Sequence, residues 1–288
     1  MNSVTKVIKE IQQPYGGVLP VNMFRVHDIG GDVIKCDKIR PVIVGKVVDS
    51  MLRVTIKSNK ERLFKSSILG YEKRIEHFAR QFSYNSNIDY ESKRIAQEDG
   101  IFNVYSLINR IDKYMNDFKF YELAICISLI HQYDIWNEQF SYMSKHTTIE
   151  SSRPKYYTKG DIRKIVELYK RTLNWLCDII GDTSIVFDYK FYPDGYTENV
   201  KYGVGDFVCC NTLFDLKCIG NKPKSIHTLQ LLTYYVMGLH SHNKLYNNIK
   251  KIGIYSPILN ILWYINVSDI PEESINFVLN EVLKYNKD

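Results

Sequence analysis

Apolar residues recur along the first half of the chain at spacings that are typical of helices rather than strands. The predicted helices are Pro41 to Ile56, Lys60 to Phe82, Ile101 to Phe118 and Phe120 to Phe140. The last of these is apolar nearly all round, as expected for a helix in a core. Turn residues dominate the stretches before them, including Asp28 to Asp32. We therefore expect a mainly helical N-terminal domain over residues 1–150.

The second half mixes helical spacing with short runs rich in Val, Ile, Tyr and Phe, which predict strands. The predicted strands are Ile185 to Phe191, Val200 to Cys210, Leu213 to Cys218, Lys251 to Tyr255 and Ile261 to Val267. The predicted helices run from Thr158 or Asp161 to Ile180, from Ser225 to Gly238, and from Glu272 to Tyr285. The polar segment Ser144 to Gly160 is the linker candidate. This order predicts an α/β domain over residues 158–288.

Two acids and a lysine fall among the apolar residues of the hairpin formed by the second and third predicted strands. If Asn211 and Thr212 form the turn, Asp206 lies opposite Lys217 and diagonal to Asp215, within reach of a shared ion. Two converging carboxylates repel each other unless a cation or a proton neutralises them. Mg²⁺ suits such a pair because it takes one or two carboxylates and keeps several waters. The alternative is an ordinary hairpin with its charges on a solvated face.

The helix after this hairpin carries Gln230 and Tyr234 four residues apart, and hence on one face. Gln230 stands beside leucines, where a polar side chain needs a partner. Tyr234 either serves a site at the hairpin or packs in the core, and both alternatives are compatible with the sequence.

Three motifs in this order, G-D, D-x-K and Q-x-x-x-Y, resemble those of the RecB-like branch of the PD-(D/E)XK nuclease superfamily. Here they are Gly205-Asp206, Asp215-Leu216-Lys217, and Gln230 with Tyr234, and the likeness covers roughly residues 158 to 268. It implies a restriction-endonuclease-like core, a central mixed sheet flanked by helices, behind the helical domain. It also implies a metal-dependent deoxyribonuclease that hydrolyses phosphodiester bonds through a metal-activated water, with Mg²⁺ as the cofactor and Mn²⁺ able to substitute.

The resemblance also assigns roles to residues. Asp206 and Asp215 would bind the metal, Lys217 would position the water and stabilise negative charge, Gln230 would orient the site, and Tyr234 would contact the substrate. Many relatives supply a further acid from the first core helix. Glu167 could take that part, and Asp188 on the first strand is its rival, so the position stays open.

DNA is the partner that the resemblance implies, with the helical domain binding or selecting it, and a homodimer or an accessory protein is left open. The net charge of +6 permits nucleic-acid binding without arguing for it. Five basic residues could grip a phosphate backbone or form a solvated helix face, namely Lys159, Arg163, Lys164, Lys170 and Arg171. The alternative function is a non-catalytic module that binds DNA or a protein on the same fold.

Several other kinds of chemistry find little support. The 6 cysteines include no C-x-x-C pair, which argues against an iron–sulfur cluster. A disulfide framework is not expected in a chain this long without a secretion signal. His240-Ser241-His242 predicts a surface turn rather than a metal site. The N-terminal residues form no apolar run, and an 18-residue apolar stretch is absent, so we expect a cytoplasmic protein without a membrane partner.

Overall fold

The computed structural model describes residues 2–56, 59–82, 103–139, 157–180 and 185–285. The chain divides into two compact units. The first, called here the sheet unit, comprises Met1–Lys35 and Arg171–Asp288, and the second, the helical unit, comprises Cys36–Lys170. This division differs from the expected domains 1–150 and 158–288, because the N-terminal segment contributes a strand and a helix to the sheet unit.

Within the described residues, the sheet unit holds a mixed six-stranded sheet, which confirms the mixed α/β class. Its strands are β1 (Arg25–Asp28), β2 (Val186–Phe187), β3 (Phe207–Cys209), β4 (Thr212–Leu216), β5 (Lys251–Ser256) and β6 (Ile261–Asn266). Their spatial order is β1-β6-β5-β4-β3-β2. Strands β4 and β5 are parallel, and the remaining pairs are antiparallel.

The helices of the described chain are α1 (Val4–Glu10), α2 (Pro41–Thr55), α3 (Lys60–Leu63), α4 (Lys65–Phe82), α5 (Val104–Asn116), α6 (Phe120–Gln139), α7 (Lys159–Ile180), α8 (Ser225–His240) and α9 (Glu272–Phe277). A π-helical segment, Val278–Leu283, continues α9. The predicted helix from Lys60 to Phe82 is interrupted at the buried Phe64, which separates α3 from α4. Of the predicted linker, residues 144–156 lie outside the described residues, and Lys159 and Gly160 already belong to α7.

The predicted strand from Val200 to Cys210 is much longer than β3. Tyr202 forms an isolated parallel bridge with Ser3 instead of joining the sheet. Gly203 lies against α1, since a Cβ atom there would be 2.7 Å from Cγ2 of Val4. The first residues of this run therefore pack on the N-terminal segment, and only the last ones pair in the sheet.

Strand β1 and helix α1 were not predicted. All four residues of β1 are exposed, so the strand has no alternating apolar pattern by which it could be found. Its pairing with β6 rests on backbone hydrogen bonds, which leave no pattern in the side chains of the strand. Helix α1 has only 7 residues, too few for a clear helical period.

Helices cover both faces of the sheet. One face packs against α1 and α8 in an apolar core that includes Val4, Leu213, Leu229, Ile252 and Ile254. On the other face, Trp175 of α7 stacks on Tyr255 with ring centroids 3.8 Å apart. The same indole meets Phe214 and Phe207 edge-on, at centroid distances of 5.4 Å and 6.0 Å. Parallel β4 and β5 are connected through α8, so this helix lies over the middle of the sheet.

Candidate active site

The hairpin between β3 and β4 turns one residue earlier than the sequence predicts. Cys210 and Asn211 have positive φ angles of 48° and 58°, as a type I′ turn requires at both central positions. The register pairs Cys209 with Thr212, which makes Thr212 the first residue of β4. The predicted turn at Asn211-Thr212 is therefore wrong, because Cys210 and not Thr212 adopts the left-handed conformation.

This change of register brings the two aspartates closer than expected. Phe207 pairs with Phe214, so one further step sets Asp206 opposite Asp215 instead of opposite Lys217. Opposed residues of an antiparallel pair have Cβ atoms about 5 Å apart. The Asp206 carboxylate Oδ2 also accepts a hydrogen bond of 2.6 Å from the backbone N–H of Leu216. The hairpin register thus sets Asp206 and Asp215 opposite each other on the two strands.

Asp215 lies on the sheet face that α8 covers, because side chains alternate and Leu213, two residues earlier, belongs to the core on that face. Its side chain is 2% exposed. Lys217 Nζ lies 3.0 Å from Oδ1 and 2.9 Å from Oδ2 of this carboxylate. The Lys217 backbone N–H donates to the carbonyl of Tyr255, which extends the parallel ladder. A nearly buried carboxylate is therefore compensated by a cation on a rigid strand.

Helix α8 brings Tyr234 to the same carboxylates. Burial, and then the negative charge of Asp215, raises the pKa of the Tyr234 hydroxyl well above its usual range, with a further contribution from Asp206. Gln230 Nε2 donates a 3.0 Å hydrogen bond to this hydroxyl oxygen and lies 3.4 Å from Oγ1 of Thr5. The ring of Tyr234 is buried and packs in the core, while its hydroxyl lies near the two aspartates. Gln230 contacts the site through its hydrogen bond to this hydroxyl.

His227 is a residue of this site that the sequence analysis missed. It precedes Gln230 by three residues and Tyr234 by seven, so all three share one stripe of α8, and this spacing could have revealed it. Its Nδ1 accepts a 3.1 Å hydrogen bond from the backbone N–H of Lys224. Burial and the positive charges of Lys217 and Lys224 lower the pKa of His227 to about 4. The imidazole is therefore neutral at pH 7.

Glu167 and Asp188 are the two candidates for a third carboxylate at the site. Glu167 is exposed on α7 and belongs to the helical unit, whereas both aspartates belong to the sheet unit. The Asp188 backbone N–H donates to the carbonyl of Asp206, 3.1 Å away, which places Asp188 beside Asp206 on the neighbouring strand. Within the described ranges, no three His, Cys, Asp or Glu side chains form a group that could hold a metal. The described site thus offers a pair of carboxylates.

Other candidates from the sequence have separate surroundings. Lys164 Nζ lies 2.7 Å from the Asp37 carboxylate. Arg171 Nη1 donates to the backbone carbonyl of Pro257 at 3.1 Å, so this guanidinium supports the turn between β5 and β6. The His240 ring stacks on Tyr285, whereas His242 Nδ1 lies 2.7 Å from Oδ2 of Asp194. The two histidines therefore contact different groups.

The helical unit contains a buried polar network with the connectivity of a Ser-His-Asp triad. Ser50 Oγ lies 2.7 Å from His131 Nε2, and His131 Nδ1 lies 3.0 Å from Asp134 Oδ2. Asp134 also accepts hydrogen bonds from Ser67 and Lys46, of 2.6 Å and 2.8 Å. Ser50, His131 and Asp134 are all buried, and their hydrogen bonds connect three helices of the unit. The network therefore joins α2, α4 and α6 as a structural element.

Comparison with family models finds no match for this chain, and searches of curated proteins and of solved structures find none either. Across the described part of the chain, no helix combines the length and the apolar character needed to cross a membrane.

Proposed function

We propose that this protein is a metal-dependent deoxyribonuclease that hydrolyses phosphodiester bonds of DNA. The observation that carries the proposal is the meeting of Asp206, Asp215 and Lys217 at the β3–β4 hairpin, beneath the Gln230 and Tyr234 stripe of α8. The order of these motifs resembles the RecB-like branch of the PD-(D/E)XK superfamily. The mixed sheet with helices on both faces is compatible with the restriction-endonuclease-like core of that branch.

The residues fit a hydrated Mg²⁺ ion. Asp206 and Asp215 offer two adjacent carboxylates, and Mg²⁺ takes one or two of these while keeping several waters. Asp215 already holds a positive charge, the Lys217 ammonium, against both of its oxygens. When bound, Mg²⁺ would supply Lewis acidity and lower the pKa of a nearby water, and Mn²⁺ would substitute.

The side chains around the carboxylates have separate tasks in this proposal. Lys217 stabilises the negative charge that develops on the phosphoryl oxygens as water adds to phosphorus and the ester P–O bond breaks. Tyr234 stays protonated, because burial and the acids hold its pKa high, and donates a hydrogen bond to the substrate. Gln230 holds the Tyr234 ring in place through their hydrogen bond.

A second candidate function is a module that binds DNA or a protein without cleaving it. One observation favours it: the Asp215 carboxylate is 2% exposed, and both of its oxygens already contact the Lys217 ammonium. Such an ion pair is satisfied without a metal. The two candidates differ in what they do to a phosphodiester bond.

Cleavage of labelled linear, circular and single-stranded DNA tests the proposal, with Mg²⁺, Mn²⁺ or EDTA and with Lys217→Ala beside the wild type. We expect cation-dependent cleavage that the substitution abolishes. The circular substrate separates an endonuclease from an exonuclease. DNA binding without cleavage under any of these conditions would replace the nuclease by the binding module.

A further inference from the structure

Tyr189 lies at the back of the carboxylate pair. Its carbonyl accepts a 3.1 Å hydrogen bond from the backbone N–H of Gly205, which continues the β2–β3 pairing beyond Asp188 and Asp206. Its ring end lies against Gly205: a Cβ atom on that glycine would be 1.7 Å from Cζ and 2.0 Å from the hydroxyl oxygen. The Tyr189 hydroxyl is therefore next to the residue that precedes Asp206.

Neighbouring aromatic rings enclose this hydroxyl. Tyr189 is 2% exposed, with Phe191, Tyr234 and Tyr246 around it at ring-centroid distances of 5.6 Å, 6.3 Å and 6.1 Å. Its hydroxyl oxygen has no hydrogen-bond partner among the described residues and is closed to solvent. Burying a hydroxyl without a partner is unfavourable, and native proteins satisfy most such groups. This one therefore calls for a physical explanation.

The hydroxyl groups of the two neighbouring tyrosines both have hydrogen-bond partners. The Tyr246 hydroxyl donates to the carbonyl of Lys190 at 2.7 Å, and Tyr234 accepts from Gln230. The Tyr189 hydroxyl lies next to Gly205 and hence close to Asp206, the following residue. A phenol is protonated at neutral pH, so this hydroxyl can donate a hydrogen bond.

Asp206 is the acceptor that suits this donor. Its Oδ2 accepts from Leu216, and each carboxylate oxygen accepts more than one hydrogen bond. The terminal torsion of an aspartate is soft, so a small rotation of the carboxylate changes which donors it meets. Because the hydroxyl is closed to solvent, a protein group rather than water is its natural partner.

We propose that Tyr189 is a positioning residue, whose hydroxyl donates to the Asp206 carboxylate and fixes its orientation for binding a divalent cation. This inference rests on the proposed function and adds a residue to its site. Groups that orient a metal ligand from behind commonly raise metal affinity by about 10-fold or more. The Tyr189 hydroxyl would therefore matter to the cation more than to the fold.

Titration calorimetry with Mn²⁺ alone tests this, together with the thermal midpoint measured in EDTA. Tyr189→Phe removes the hydroxyl and keeps the ring, and Tyr246→Phe is its matched control, because that hydroxyl has a partner outside the site. We expect Tyr189→Phe to bind Mn²⁺ about 10-fold more weakly while its midpoint in EDTA stays unchanged or rises. We expect Tyr246→Phe to lower the midpoint and keep the wild-type affinity.

Two results would overturn the assignment of Tyr189. One is wild-type Mn²⁺ affinity in Tyr189→Phe, and the other is a lower midpoint in EDTA, which would show that the hydroxyl already has a structural partner. A wild-type protein that binds no Mn²⁺ would instead defeat the proposed function, and the assignment of Tyr189 with it. The affinity of the wild type therefore separates the two failures.

Discussion

The ammonium group of Lys217 contacts both carboxylate oxygens of Asp215, at 3.0 Å and 2.9 Å, from a position two residues further along the same strand face. The carboxylate is nearly buried, whereas 23% of the lysine side chain is exposed. The pair therefore places its negative charge inside the protein and its positive charge toward the solvent. Lys217 neutralises Asp215 in the free protein, and in the proposed nuclease its exposed part would also contact an incoming phosphate.

Replacing Lys217 by alanine should affect both roles. We expect cleavage to fall by about 100-fold or more, the usual cost of removing one group that stabilises transition-state charge. Stability without a cation should fall by about 3 kcal/mol, since a buried carboxylate loses its ion-pair partner. Rate measurements and urea unfolding check the two effects. Lys222→Ala, in the exposed loop that follows, is the control and should change neither; equal losses in both variants would refute a specific role.

Tyr234→Phe should slow cleavage without unfolding the protein. The ring remains in its aromatic cluster, and the lost hydroxyl removes one hydrogen bond, which corresponds to about a tenfold lower kcat/KM. Thr5→Ala is the matched control, because Thr5 is the other contact of Gln230 and is exposed on α1. Steady-state kinetics on one DNA substrate compare the variants. A larger loss in Thr5→Ala than in Tyr234→Phe would contradict the arrangement.

Gly205→Ala should destabilise the sheet unit. The new methyl group would overlap the Tyr189 ring, at 1.7 Å from Cζ, so ring or strand must move. Overpacking of this kind costs about 1–3 kcal/mol or more. Gly160→Ala is the control: its nearest neighbour would be 3.8 Å away, and alanine favours a helix. Chemical denaturation of both variants measures the difference. Equal free energies of unfolding would contradict the prediction, because the Tyr189 ring would then move aside without loss of stability.

His227 should make the sheet unit less stable in mild acid. Its pKa falls from 6.5 to about 4 in the folded protein, so between these values the unfolded chain binds a proton that the folded chain does not. Stability contributed through this histidine is therefore lost as the pH falls from about 6.5 toward 4. His227→Gln should flatten this part of the stability–pH curve. NMR titration of the imidazole checks the cause; a midpoint near 6.5 would contradict it.

Asp134→Asn should destabilise the helical unit. Burial opposes the charged carboxylate, but hydrogen bonds and charge from His131 and Lys46 outweigh it and hold the pKa of Asp134 below its usual range. Its stabilising contribution is present above the pKa of the unfolded chain and is lost as the pH falls through the folded pKa. At pH 7 we expect a loss of about 3 kcal/mol. Calorimetry measures it, with the exposed Asp112→Asn as the control; equal losses would refute the role of the network.

The helices and strands with a clear local pattern of apolar residues could be predicted from the sequence. Helices α2 and α7 have clear helical periods, α6 is a long apolar helix, and strands β4, β5 and β6 are short apolar runs bounded by turns. Each lies close to its predicted range. What local patterns miss is pairing between distant segments. Strand β1 is exposed along its whole length, and its partner β6 lies far along the chain, so its side chains gave no signal.

The candidate site shows the same limit at the level of single residues. The three motifs could be recognised from the sequence because their polar residues stand at characteristic spacings along two strands and a helix. The opposed positions of Asp206 and Asp215 could not be predicted. They depend on which two of Cys210, Asn211 and Thr212 adopt the left-handed conformation of the turn. Tyr189 was missed because a tyrosine in an apolar strand is indistinguishable from core until its hydroxyl is located.

The placement of β1 next to β6 has a consequence for synthesis on the ribosome. The helical unit is one continuous segment, Cys36–Lys170, and all of it has been made before most of the sheet exists. Strand β1 is translated before the helical unit, whereas its partner β6 is translated after it. A nascent chain that stops short of Ile261 therefore lacks the strand that β1 requires. The carboxylate hairpin is made before β6, so it belongs to a sheet in which β1 can pair only later.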